Sequence, residues 1–359
     1  MISKNFYESL EELAFERGIA IEDVLKKVET AISVACRNSG FSGDVKTEWD
    51  FEKKKIKVFE YKYVVSEIDP EGQKGQILLE EALEIKPKIK EGQEIKTEVN
   101  LATFTRKAAS VFKQSLLGGL KELEREEQYK FFEDKVGEVI TAKVVDYTNG
   151  FVAFNIGKDV IANMPDKEGL PNEKFLPGEE KKVYITKVEK TTKGPKVYLT
   201  RTSREIVKRL FEFTIPEIAD GSIEIMGISR DPGDRTKIGV LSLKNNLDPK
   251  GACVGQGGLR IKKINEILNG EKIDIFTWKD DPIELVSEAL LPAKTLSVIA
   301  DEKTKQATVI VADDQYSLAI GKKGQNARLA AYAIGWKIDI KNHSTAIKEG
   351  MEIIYNTRK

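Results

Sequence analysis

Cysteine is all but missing from this 359-residue chain: Cys36 and Cys253 stand far apart, in no C-x-x-C spacing. That excludes a disulfide framework and a cysteine-built zinc site, and it fits a reducing cytosol. Histidine occurs once, at His343, with no cysteine or histidine near it in sequence, so neither metal ligation nor histidine acid–base work has a foundation. Neither sign of charge is in excess, with 58 basic and 58 acidic residues. Any surface for a polyanion must therefore be a local basic patch. No apolar run approaches the roughly 18 residues of a membrane span, and the N-terminus lacks the apolar stretch of a signal peptide. No G-x-x-x-x-G-K-[ST] string occurs, which argues against nucleotide hydrolysis. The expectation is a cytoplasmic protein without membrane contact, catalytic residues, metal or cofactor, assembled from several small modules.

What is present falls into segments. Residues 1–38 read as two helices broken at Gly18, the second with an apolar face of Ile21, Val24, Leu25, Val28, Ile32 and Ala35 at three- and four-residue spacing. Residues 43–100 turn strand-like, with alternation from Lys55 to Tyr63 and breaks at Gly72, Gly75, Pro87 and Gly92. A helical stretch over 101–135 follows, interrupted at Gly118-Gly119. Its acid-rich second half serves as a solvated face, a connector or a surface for a protein partner. Five short strand candidates come next, at 138–145, 151–156, 159–164, 182–188 and 197–200, which suggests a small OB-type barrel. Strand parity puts Val152, Phe154 and Ile156 in its core and turns Phe151 outward, beside Tyr147 across the Thr148-Asn149-Gly150 turn. Outward aromatics on such a barrel either stack on nucleic-acid bases or cover the barrel's own edge.

Residues 202–343 contain a repeat. Gly255-Gln256-Gly257-Gly258 and Gly321-Lys322-Lys323-Gly324 each open a basic helix, and Lys272-Ile273-Asp274-Ile275 and Lys337-Ile338-Asp339-Ile340 follow as strands. Both copies read αββααβ, the order of a KH module, in which a G-x-x-G loop clamps about four nucleotides of backbone. A lone G-x-x-G is common by chance and can be a plain turn, so the duplication carries the weight. Glycine tolerates positive φ and lacks a Cβ, which lets a phosphodiester approach the backbone. The next helix offers its N-terminal N–H groups. Local charge agrees: the first copy supplies Lys250, Arg260, Lys262 and Lys263, the second Lys322, Lys323 and Arg328, with Gln325 and Asn326 between, and neither stretch holds an acid. Val254, Ile261, Ile320 and Leu329 are candidates for a groove floor under unstacked bases. Asp313-Asp314 reads as the cap of the helix leading into the second loop.

Several strings resemble the NusA transcription factors of bacteria: Arg230-Asp231-Pro232-Gly233, Asp248-Pro249-Lys250-Gly251-Ala252-Cys253-Val254-Gly255, Gly270-Glu271-Lys272-Ile273-Asp274-Ile275, and Ala319 through Ala330. The resemblance spans the chain and is strongest over 199–342. It implies an α+β multidomain fold: an N-terminal polymerase-binding domain with a long connector helix (1–134), an S1-type OB barrel (135–201), two tandem type II KH domains (202–280 and 281–345) and a short tail (346–359). It further implies a monomer that binds RNA polymerase, nascent single-stranded RNA and other elongation or antitermination factors, and that modulates pausing, termination and antitermination. In the barrel motif of that family Tyr147, Phe151 and Arg201 match the RNA face, while Asn163 stands where a histidine is usual. Gln256-Gly257 replaces a basic residue in the first loop.

Two rivals remain from the modules alone. An RNA-degrading phosphorylase also carries KH and OB modules, in the opposite order, but needs a catalytic core for which residues 1–135 are too short. A ribosome-assembly or RNA-processing factor could use the same modules, and co-purification with ribosomal subunits instead of polymerase would mark it.

Overall fold

The computed structural model describes residues 4–52, 54–72, 75–101 and 104–356. They form two compact units, 1–131 with 190–195, and 132–189 with 196–359. No described helix is long and apolar enough to cross a membrane.

In the first unit, α1 (Lys4–Arg17) and α2 (Ile21–Asn38) precede β1 (Asp44–Asp50), β2 (Lys55–Val65), β3 (Gln76–Leu78), α3 (Leu79–Ile85), β4 (Glu94–Glu98) and α4 (Arg106–Glu133). The central β2 pairs antiparallel with β1 and β4 and parallel with β3. The α2 face expected from sequence is the buried one: Val24, Leu25, Val28, Ile32 and Ala35 lie inside. Gly118-Gly119 does not interrupt α4. A Cβ on Gly119 would stand 3.0 Å from the Lys27 side chain of α2, so this glycine permits close helix packing. The gain in packing offsets the roughly 1 kcal/mol that glycine costs within a helix.

The second unit opens with a five-stranded barrel, β5 (Val139–Thr148), β6 (Phe151–Asn155), β7 (Ile161–Pro165), β8 (Glu180–Thr191) and β9 (Gly194–Thr200), in the order β7-β6-β5-β8-β9. All five strands feed one core, in which Val152, Phe154 and Ile156 are buried as strand parity requires. Phe154 meets Phe175 edge-on at 5.9 Å. Phe154→Ala is expected to cost about 3–5 kcal/mol. Phe151→Ala should cost no more than about 0.5 kcal/mol, since its ring is half in water. Urea unfolding of the two variants checks this, and equal losses would refute the assigned parity.

Two αββααβ modules follow. The first comprises α5 (Arg204–Thr214), α6 (Pro216–Ala219), β10 (Ile223–Asp231), β11 (Arg235–Ser242), α7 (Pro249–Val254), α8 (Leu259–Ile267) and β12 (Lys272–Thr277). The single helix expected over 205–218 is broken at Ile215, because the residue before a proline is pushed out of the α region and Pro216 starts a new turn. The second comprises α9 (Pro282–Ala289), β13 (Thr295–Asp301), β14 (Gln306–Val311), α10 (Tyr316–Ile320), α11 (Gln325–Ile334) and β15 (Lys337–Asn342). In each sheet an antiparallel hairpin is extended by a parallel last strand. Beyond it α12 (His343–Lys348) forms, and Asn356 in the tail bonds both the N–H and the C=O of Val298 on β13. Asp313 does not cap α10, whose first flanking residue is Gln315; it accepts from the backbone and hydroxyl of Ser344 in α12.

Candidate nucleic-acid interface

The two G-x-x-G loops share one backbone path. Gly255 and Gly321 have φ of 72° and 74°, Gly257 and Lys323 of 60° and 53°, and Gly258 and Gly324 both of 75°. Three positive-φ positions in four residues turn a short helix into the next one, whose first N–H groups have no partner within their own helix. A Cβ on Gly321 would meet the Asn326 backbone nitrogen at 2.8 Å, so glycine is required there by space as well as by φ. Lys322 and Lys323 are exposed at the tip, and Lys262 and Lys263 are exposed on α8.

Lys323 occupies a left-handed conformation that costs a non-glycine residue about 1–2 kcal/mol. The first loop relieves that strain with Gly257 and forgoes the cation. Gly257→Lys is therefore expected to lower stability by about 1 kcal/mol. It should also steepen the salt dependence of RNA affinity by about 0.7 units of logarithmic slope. Chemical denaturation and binding isotherms at several salt concentrations read both effects.

On the barrel, Tyr147 and Phe151 flank the β5–β6 turn and are both 48% exposed, as an outward aromatic pair should be. The Tyr147 hydroxyl is tied to Asp166, a bond that raises its pKa. Asn163 sits across from Ala153 in the register of β6 and β7. Arg201 is elsewhere. Its side chain is 0% exposed, pairs with both oxygens of Glu173 at 2.7 Å, and donates to the carbonyls of Lys182 and Ile267. The expectation that Arg201 touches RNA is thereby corrected: a buried guanidinium with these bonds fastens the barrel to the first αββααβ module.

Comparison with known proteins settles the lineage. Residues 5–126 match the NusA N-terminal domain, 201–278 the NusA-like first KH domain and 282–348 the NusA-like second KH domain. The transcription termination/antitermination protein NusA of Bacillus subtilis is 43% identical over 351 residues, covering 98% of this chain and 94% of that protein. The chain belongs to the NusA family. Relatives of the same name from Thermus thermophilus (37% identical; 94% and 89% covered) and Mycobacterium tuberculosis (34%; 93% and 92%) match over nearly the same span.

Within this NusA-family chain the two KH modules are held together tightly. Gly227 and Gly239 lie opposite each other on β10 and β11. A Cβ on Gly227 would stand 2.0 Å from the Ala333 carbonyl oxygen of α11, and one on Gly239 would strike Phe276 and Trp278. These paired glycines make a flat seat on the first sheet for the second module. At its rim Asp231 accepts from Arg328 at 2.6 Å and from Gln325 at 2.9 Å, and Asp234 accepts from Gln325 at 2.8 Å. Gln325 and Arg328, expected on the RNA face, are thus engaged by the acids of the first hairpin.

Two more expected contacts prove structural. Asn326 is buried and donates to the carbonyls of Leu290 and Ala319, while Arg260, at the matching position of the first copy, bonds Glu217 and the Ala252 carbonyl. Each staples its basic helix to the helix before it, which fixes the bend of the loop. Leu329 is buried too, so it is not part of an open floor. Val254 and Ile261 do line a cleft beside the first loop. The same cleft contains Lys237, whose place sequence reading missed: a lysine in a strand ordinarily points to water. Burial pulls its pKa down to about 8, with Asp274 opposing. Among the described residues no cluster of histidine, cysteine and carboxylate groups could hold a metal.

Proposed function

We propose that the protein is an RNA-binding transcription factor that binds RNA polymerase and nascent RNA and modulates pausing, termination and antitermination. The observation that carries this is the pair of G-x-x-G loops with one backbone geometry, on two KH modules that pack against each other, in a chain that aligns nearly end to end with proteins named for termination and antitermination. Gly255–Gly258 and Gly321–Gly324 would receive phosphates, aided by Lys262, Lys263, Lys322 and Lys323, and Tyr147 with Phe151 would stack bases. Residues 1–134 would dock on polymerase, leaving 135–345 to hold transcript. In this reading the protein works in the cytoplasm as a monomer, binds and does not catalyse, and uses no cofactor.

An in vitro transcription assay at a hairpin pause tests the proposal. Added protein is expected to change the pause lifetime and the yield at a downstream intrinsic terminator. Unchanged pausing and termination at saturating protein would sink it, and phosphate-dependent shortening of labelled RNA would replace it with an enzyme.

A further inference from the structure

Each KH sheet has two edge strands, and an edge invites another chain unless something spoils it. Charge does so on three of the four: Glu224 and Arg230 on β10, Lys272 and Asp274 on β12, and Lys337, Asp339 and Lys341 on β15. The exception is β13. Its run Thr295-Leu296-Ser297-Val298-Ile299-Ala300 holds no charged residue, proline or glycine, and three of the six residues are β-branched. Such a run is the sequence signature of a strand that pairs with its own kind. A bulge lies at its start, between Thr295 and Ser297, and leaves the rest in regular register with β14. Ile299 adds a side chain that is 44% exposed.

What covers this edge is the tail. Val298 stands opposite Val309 of β14, yet its N–H donates to Asn356 Oδ1 at 2.9 Å and its C=O accepts from Asn356 Nδ2 at 2.7 Å. Both groups therefore point away from β14, as they do at a non-hydrogen-bonded pair of an antiparallel ladder. Ala300, two residues on, turns its backbone groups to the same side. A side-chain amide sets an acceptor beside a donor. Asn356 thus makes with Val298 the two bonds that a residue of a neighbouring strand would make. The cover is thin: Ile354 and Tyr355 keep most of their surface in water, and Tyr355 meets His343 at 3.1 Å.

We propose that β13 is an interaction surface for a second copy of this chain, and that Asn356 keeps it closed. The kind of partner follows from the strand itself. Related by a two-fold axis, the Val298 residues of two copies can exchange both bonds, and the uncharged run sets no like charges against each other. Sedimentation equilibrium of the full chain and its Asn356→Ala variant, over a range of concentrations and without RNA, is the test. Asn356→Ala is expected to raise the association constant at least about tenfold, since each copy gives up two neutral hydrogen bonds that compete with pairing. Hydrogen exchange at the Val298 amide should be fast in the dilute variant and slow as its concentration rises. Adding Ile299→Lys, a charge on the same edge at a side chain already half in water, should return Asn356→Ala to a monomer. Wild type and Asn356→Ala that associate equally, or that both stay monomeric, overturn the proposal. So does association that survives Ile299→Lys, or that leaves Val298 exchange fast, because the contact then lies on another surface. Since no RNA takes part, none of these outcomes bears on the reading of the two loops.

Discussion

Replacing Glu271 with alanine is expected to lower the unfolding free energy of the second unit by about 3–5 kcal/mol, the cost of stripping one partner from a buried ion pair. Glu271 is fully buried. It accepts from the Arg230 guanidinium at 2.9 and 2.8 Å, from the Thr236 hydroxyl at 2.5 Å and from the Gly233 backbone at 2.8 Å. Arg230 also donates to the carbonyls of Arg201 and Ser203. Arg201, in turn, is locked to Glu173 and to the Ile267 carbonyl. The carboxylate therefore terminates a chain of buried charges that runs from the barrel into the first KH hairpin. Removing it leaves a buried guanidinium without its ion-pair partner. Glu271→Gln keeps the shape and part of the hydrogen bonding, and should recover at least 1 kcal/mol of the loss. Urea unfolding followed by tryptophan fluorescence reads the effect, since Trp278 and Trp336 both lie in this unit. A loss below about 1 kcal/mol for the alanine variant would show that water reaches Arg230 in the folded chain.

That network also marks where sequence reading stops. Element order, the barrel's inward parity and both G-x-x-G loops were legible, because each is written in local periodicity or in glycine spacing. Phe154 and Phe151 fell on opposite faces from alternation alone. The errors came where a polar side chain finds its partner through the fold. Arg201 matched a family pattern for an RNA contact, but Glu173 and Ile267, far from it in sequence, consume its guanidinium. Asn326 and Arg260 sit in basic, loop-flanking strings that read as binding residues, and only the folded chain shows them bonding backward to helix-end carbonyls. Lys237 failed in the other direction: nothing local distinguishes a lysine on a solvent face from one sunk beside a neighbouring module. Gly227 and Gly239 drew no notice for the same reason, since their use depends on α11 arriving from about a hundred residues downstream.

Charge reversal at the second loop, Lys322→Asp with Lys323→Asp, should weaken RNA binding about a hundredfold at low salt, as two charge-assisted phosphate contacts are lost. The salt dependence is the sharper readout. Each phosphate neutralised on a single strand contributes about 0.7 to the slope of log affinity against log salt, so losing two lowers it by between one and two units. Both lysines are exposed at the tip, so the folded chain should melt unchanged. Lys323 already bears a left-handed backbone, which aspartate tolerates at least as well. The loops matter jointly. With α11 seated on Gly227 and Asp231 holding Arg328, the two clamps keep a fixed separation, and a strand bound at one is presented to the other at high effective concentration. Damage to the second clamp should therefore cost more on an RNA long enough to reach both than on a short one that fills either alone. A slope that stays constant in the double variant, or an equal loss on long and short RNA, would mean that the second loop grips no phosphate or that the clamps act singly. The protein has no net charge to attract a polyanion from afar. On the proposed reading, joined clamps would let such a chain hold a transcript.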